Sequence, residues 1–140
     1  MNSAPDITLL FDGLCPVCAR EIALLRRLDG RRRRLADSAE SNCRLAFVDI
    51  TDPSFDPARH GLTMPQVIGA MHGILPDGSV VVGVEVFRRA YRAVGLGWLL
   101  AWTNWPLLRP LANAGYRLFA RVRPRLSRFT CEGDRCAAAR

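Results

Sequence analysis

Lysine is absent: all 20 basic residues of this 140-residue chain are Arg. A total lack of Lys points to base-composition bias in the encoding DNA, so the high pI of 10.1 says little about a nucleic-acid partner. No nucleic-acid recognition motif accompanies the charge, and nucleic acid is not expected as a partner. The charge-free run 93–108 has 16 residues interrupted by Gly, Thr, Asn and Pro, too short and too broken to span a bilayer. The Met-Asn-Ser-Ala-Pro-Asp start has no basic residue and no apolar stretch, so no secretory signal is expected there. Cys is sparse and odd in number, with five residues at 15, 18, 43, 131 and 136, which argues against a secreted disulfide scaffold. The expected location is the cytosol, where a close pair of cysteines is catalytic or metal-binding. No internal repeat is visible.

What is present is an ordinary globular composition, 49% apolar and 24% charged. A chain of this length buries roughly two-thirds of its unfolded surface and needs neither disulfide nor metal to fold. Charge is unevenly placed: residues 1–85 hold 9 Arg and 11 acids, whereas residues 86–140 hold 11 Arg and 2 acids. The first part reads as a near-neutral globule, and the last as a basic helical extension.

Ile7 to Phe11 is a continuous apolar run stopped by Asp12-Gly13, the pattern of a buried strand. From Pro16 the period becomes 3.6, with Val17, Ile22, Leu24, Leu25 and Leu28 alternating with charges, which predicts an amphipathic helix closed by Asp29-Gly30. Arg31 to Arg34 reads as a solvated loop. Arg44 to Ile50 reads as a second strand, and the following Pro-rich segment as a loop with at most a short helix. Gln66 to Leu75 and Ser79 to Val84 read as a hairpin around Pro76-Asp77-Gly78. Val86 to Val94 is helical and is broken at Gly95-Leu96-Gly97. Further helices follow over Trp98–Trp105 and Leu107–Val122, with order ending at Pro124.

The informative feature is Cys15-Pro16-Val17-Cys18, directly after a buried strand and on the first turn of a helix. Unpaired amides and the positive end of the macrodipole meet there, and both favour a thiolate over a thiol. Pro16 suits the first helical position because its missing N–H would have no partner there. Cys15 then caps the helix as the outer, attacking thiol, and Cys18 lies one turn on as the resolving thiol. Asp12 is either the proton acceptor for Cys18 or the anchor of its own turn. Gly13 is expected to supply a positive φ. His72 sits in a strand and could face the dithiol as a proton shuttle.

Phe11-Asp12-Gly13-Leu14-Cys15-Pro16-Val17-Cys18 resembles the signature of the thiol-disulfide oxidoreductase DCC family, a thioredoxin-like group named for its Asp and two Cys. The resemblance continues through Ala70-Met71-His72, Pro76-Asp77-Gly78, Gly83-Val84-Glu85-Val86-Phe87, and the 106–116 segment with Pro106, Arg109 and Tyr116. It implies an α/β fold: a thioredoxin-like sheet with flanking helices and a helical C-terminal extension. It also implies dithiol–disulfide exchange with Asp12, Cys15 and Cys18 as the family's Asp and two Cys. Thioredoxins place a cis-Pro before the third strand; here that place holds Ala70-Met71, and Pro65 lies five residues earlier. On this reading residues 1–94 form the thioredoxin-like core, 95–129 a helical extension packed on it, and 130–140 a flexible tail.

The expected catalytic set is therefore Cys15, Cys18, Asp12 and His72, with no bound cofactor. The expected partners are protein or small-molecule disulfides and thiols. Two rival readings use the remaining features. Cys131 and Cys136 could join Cys15 and Cys18 as a four-thiolate zinc module. The Arg-rich C-terminal helices, with Trp98, Trp102 and Trp105 on one face, either pack on the sheet or lie against an anionic membrane surface.

Overall fold

A computed structural model describes residues 4–35 and 44–129. Residues Ile7–Phe11 form β1, one of the two inner strands of a four-stranded sheet with order β2-β1-β3-β4. β2 (Leu45–Asp49) runs parallel to β1, whereas β3 (His72–Ile74) is antiparallel to β1, and β4 (Val80–Val82) is antiparallel to β3. α1 (Pro16–Leu35) makes the crossover between the parallel strands, α2 (Met64–Gly69) precedes β3, and α3 (Val84–Ala93) follows β4. A βαβ unit followed by a ββα unit on one sheet is the thioredoxin-like arrangement. α4 (Gly97–Ala101), a 3-10 turn (Trp102–Asn104) and α5 (Arg109–Phe129) extend it.

β1 is apolar except for Thr8 because it is covered on both faces. Ile7, Leu9 and Phe11 face a layer with Ile22 and Leu25 of α1 and Val86 and Ala90 of α3. Leu10 points the other way, into a smaller layer with Ile50 and Val67. Truncating Leu9, which is wholly buried, to Ala would cost about 2–5 kcal/mol through lost transfer energy and the cavity left. The hairpin forms around the expected turn: Gly78 has φ 81°, and the Leu75 N–H donates to Ser79 O at 2.9 Å.

Several local expectations give way to tertiary contacts. α1 does not stop at Asp29-Gly30 but continues to Leu35, so Arg31 to Arg34 are helical rather than a loop. Asp29 is buried and accepts the Arg44 N–H at 3.3 Å, while the Arg32 guanidinium donates to the Ala93 carbonyl at the end of α3. These anchors, with three Arg at the negative end of the dipole, outweigh the weak helix propensity of one Gly. Residues 64–69 form a helix instead of the first part of a strand. Thr63 and Gln66 make a capping box, with the Thr63 N–H donating to Gln66 Oε1 at 2.8 Å, and Pro65 lies in the first turn. α5 passes through Pro124 to Phe129; a Pro there removes one intrahelical bond without ending the helix. Trp98, Trp102 and Trp105 do not pack on the sheet but stand exposed.

Candidate active site

β1 ends at Phe11, paired with Asp49 at the end of β2, and the chain turns at once into α1. The turn is held from two sides. Asp12 is buried, its Oδ1 accepts the Leu14 N–H at 3.0 Å, and its carbonyl accepts the Cys15 N–H at 3.2 Å. From the neighbouring strand β2, Asp49 Oδ1 accepts the Gly13 N–H at 3.0 Å, together with the Thr51 N–H at 2.9 Å and the Thr51 hydroxyl at 2.7 Å. Asp12 is thus seen as the anchor of its own turn, one of the two roles expected of it.

Gly13 is required here for a different reason from the one expected. Its φ is not positive; instead a Cβ on it would lie 2.0 Å from Asp49 Oδ2. Space, not backbone conformation, demands Gly. Asp49 was missed in the sequence, where its only local mark is Thr51 two residues on, the pattern of an Asx turn. Its functional partner lies 36 residues away.

Pro16 opens α1, and the Cys15 carbonyl accepts the first helical bond, from the Ala19 N–H at 2.9 Å. Cys15 therefore stands at the cap, where a side chain faces the amides of the first turn. Cys18 follows one turn on. Positions three apart on a helical turn bring Cβ atoms to about 5–6 Å, close enough for a disulfide after a small adjustment. The two cysteines are not joined in a disulfide in this structure. The expectation that Cys15 is the outer thiol is corrected: Cys15 is 0% exposed and Cys18 4%. Pro16 and Val17 take the surface instead, and both sulfurs join the apolar layer that contains Phe11, Met71 and Tyr91.

Met71 stands directly before β3, and no cis peptide occurs among the described residues. Its backbone is satisfied internally: the N–H donates to Tyr116 Oη at 2.7 Å and the carbonyl accepts the Gly83 N–H at 2.9 Å. Tyr116 comes from α5, so the C-terminal helix reaches the layer that holds the dithiol. The same ring stands 3.0 Å from where a Cβ of Gly83 would be, at a φ of 71° that itself favours Gly. On its outer side Tyr116 lines a groove of about 590 Å³ with Ala70, Asn113, Arg117 and Arg121.

His72 does not face the dithiol. It is paired with Leu10 in the β1–β3 register, and directly opposed residues share a face. Leu10 and Ile74 belong to the smaller layer, so the His72 ring lies across the sheet from the cysteines. It is buried, with Nδ1 2.9 Å from the Ala70 carbonyl. Glu21, the next charged residue on α1 after Cys18 and Arg20, accepts from the Tyr91 hydroxyl at 2.7 Å and ties α1 to α3. Burial, followed by that bond and the nearby carboxylate charge, pushes Tyr91 above its ordinary range. No cluster of three or more His, Cys, Asp or Glu residues that could hold a metal occurs among the described residues. Cys43, Cys131 and Cys136 lie outside them, and with them the zinc expectation.

The fold is thioredoxin-like, with a Cys-x-x-Cys pair opening the first helix of its sheet. More specifically, the chain belongs to the DCC1-like thiol-disulfide oxidoreductase family, whose model matches residues 9–129. It is also similar to a protein of Arabidopsis thaliana described as uncharacterized and chloroplastic, 37% identical over 118 residues. That match takes in 84% of this chain and 50% of the relative, so the chain spans about half the relative's length. No solved structure matches the chain significantly.

Proposed function

We propose that the protein is a disulfide oxidoreductase that works through Cys15 and Cys18. The observation that carries this reading is the placement of the pair, between the end of β1 and the first turn of α1. The Cys15 thiolate attacks one sulfur of a substrate disulfide, forming a mixed disulfide and releasing the other sulfur as a thiolate. Cys18, losing its proton, attacks the Cys15 sulfur and expels the second substrate thiol. The substrate gains two electrons, and the protein is left with a Cys15–Cys18 disulfide. The positive end of the helix dipole suits the anion that attacks. Asp12 positions Cys15 through the turn and is the buried carboxylate assigned to take the Cys18 proton.

The partners on this reading are protein or small-molecule disulfides, and a partner reductase or small thiol restores the electrons. No bound cofactor is needed. The setting is a reducing one, the cytosol, where a close thiol pair stays available between turnovers. Because Cys15 is closed to solvent, substrate entry requires the apolar cover over it to open, and its alkylation should be slower than that of an exposed thiol.

The test is a glutathione redox series with thiols counted by mass-tagged alkylation. A reversible two-electron transition should appear, vanish in Cys15→Ser and persist in Cys131→Ser/Cys136→Ser. Cys18→Ser should accumulate a mixed disulfide at Cys15. Thiols that titrate independently, or that react only after a chelator is added, would overturn the reading.

A further inference from the structure

Beyond α3 the chain carries a surface that neither the core nor the dithiol explains. α4 and the 3-10 turn that continues it pack one side inward. Thr103 is buried, its hydroxyl donates to the Leu100 carbonyl at 2.6 Å, and both of its oxygens accept from the Arg88 guanidinium. Trp98 on α4, Trp102 in the 3-10 turn and Trp105 directly after it are left to the solvent. They are 71%, 55% and 68% exposed, and Leu107 follows at 87%. Four large apolar side chains within ten residues of sequence, all turned to solvent, form an exposed patch of the kind that marks an interaction site.

A cleft of about 570 Å³ opens beside Trp98, lined by Arg88, Arg89, Arg92 and Arg109 with one carboxylate, Glu85. Glu85 is taken up by Arg88 at 3.3 Å and Arg89 at 3.0 Å. Neither Arg92 nor Arg109 has an ion pair among the described residues. Two cationic groups are thus left for an outside anion, directly next to an indole.

We propose that this face docks on a bilayer surface containing anionic phospholipid, with the three indoles at headgroup level and Arg92 and Arg109 taking lipid phosphates. Indoles combine a large apolar ring with an N–H that keeps a wet partner, which is what a membrane interface offers. Among the described residues no helix is long and apolar enough to cross a membrane, so the contact is peripheral. Charge selects this occupant over a second copy of the chain. A two-fold contact sets the same patch against itself, which would bring Arg92 and Arg109 towards their own counterparts with no free carboxylate between them. The proposal is independent of the dithiol chemistry.

The test mixes the full chain with phosphatidylcholine vesicles, either plain or with about one-third phosphatidylglycerol to supply the negative surface. The chain should sediment with the anionic vesicles only, its indole emission should shift to the blue, and lipids brominated on the acyl chain should quench it. Arg92→Gln/Arg109→Gln should weaken binding by about 25-fold, taking roughly fivefold for each Arg near the surface. Trp98→Ser/Trp102→Ser should weaken sedimentation with the anionic vesicles and reduce the quenching to what Trp105 alone gives, while leaving the far-UV circular dichroism unchanged, since both side chains are exposed. Absence of vesicle binding, or equal binding to both vesicle types, would overturn the proposal. So would a blue-shifted dimer in sedimentation equilibrium without lipid, or saturable binding of inorganic phosphate with no vesicle binding.

Discussion

Replacing Gly13 by Ala puts a methyl group 2.0 Å from Asp49 Oδ2 and 2.8 Å from its Cγ. The carboxylate cannot swing clear as the end of a loose side chain would, because its Oδ1 accepts from Gly13 N–H, Thr51 N–H and the Thr51 hydroxyl. Moving it sacrifices at least one hydrogen bond to a charged acceptor, worth about 1.5–3 kcal/mol. Against this, φ at Gly13 is not positive, so stiffening the unfolded chain returns about 0.4–1 kcal/mol. The net is a destabilisation of about 1–2 kcal/mol, or a fall in Tm of roughly 3–8 °C for a chain of this size. Gly30→Ala is the matched control. It lies inside α1 with nothing within 4 Å of a new Cβ, so it should stabilise by about 0.5–1 kcal/mol.

The assay is urea unfolding under reducing conditions followed by far-UV circular dichroism, because the three indoles are already exposed and report folding poorly. The decisive comparison is a double-mutant cycle. In an Asp49→Ala background the obstacle is gone, so Gly13→Ala should cost nothing or stabilise, giving a coupling of about 1.5–3 kcal/mol. If Gly13→Ala is as stable as the parent, or loses as much with Asp49 removed as with it present, the steric account of this turn is wrong.

Two further outcomes follow from the geometry around the dithiol. His72→Gln should lower stability by about 1–2 kcal/mol, as a buried polar group loses its bond to Ala70, yet leave the pH profile of disulfide exchange between pH 5 and 8 unmoved. A histidine beside the dithiol would imprint its own titration on that profile, so a changed profile would refute the placement across the sheet. Tyr91→Phe removes the bond to Glu21 and should cost about 1–2 kcal/mol at neutral pH. Because burial and Glu21 raise Tyr91 above its unfolded value of about 10, its contribution is whole below that pH and is lost as pH rises further. The difference in unfolding free energy between parent and variant should be flat from pH 6 to 9 and shrink above about 10; a difference that grows with pH would contradict the assignment.

The features legible in the amino-acid order are those set by near neighbours. Ile7–Phe11 is a strand because four apolar residues out of five suit burial on both faces. Cys15 and Cys18 open a helix because Pro16 belongs at its first position, and Pro76-Asp77-Gly78 turns the hairpin because Gly78 accepts a positive φ. The capping box at Thr63 and Gln66 was equally local and could have revealed α2. What tertiary structure alone decided depends on residues far apart in the chain. α1 runs past Gly30 because Asp29 and Arg32 find partners at Arg44 and Ala93, and Gly13 is required because Asp49 arrives from the neighbouring strand. His72 lost its expected place to parity: a strand's side chains alternate, and the pairing of His72 with Leu10 sets which face it takes. The depth of Cys15 and the exposure of the three tryptophans have the same origin. Helical spacing groups side chains on one face, but whether that face meets a core or the solvent is set by the elements that pack against it.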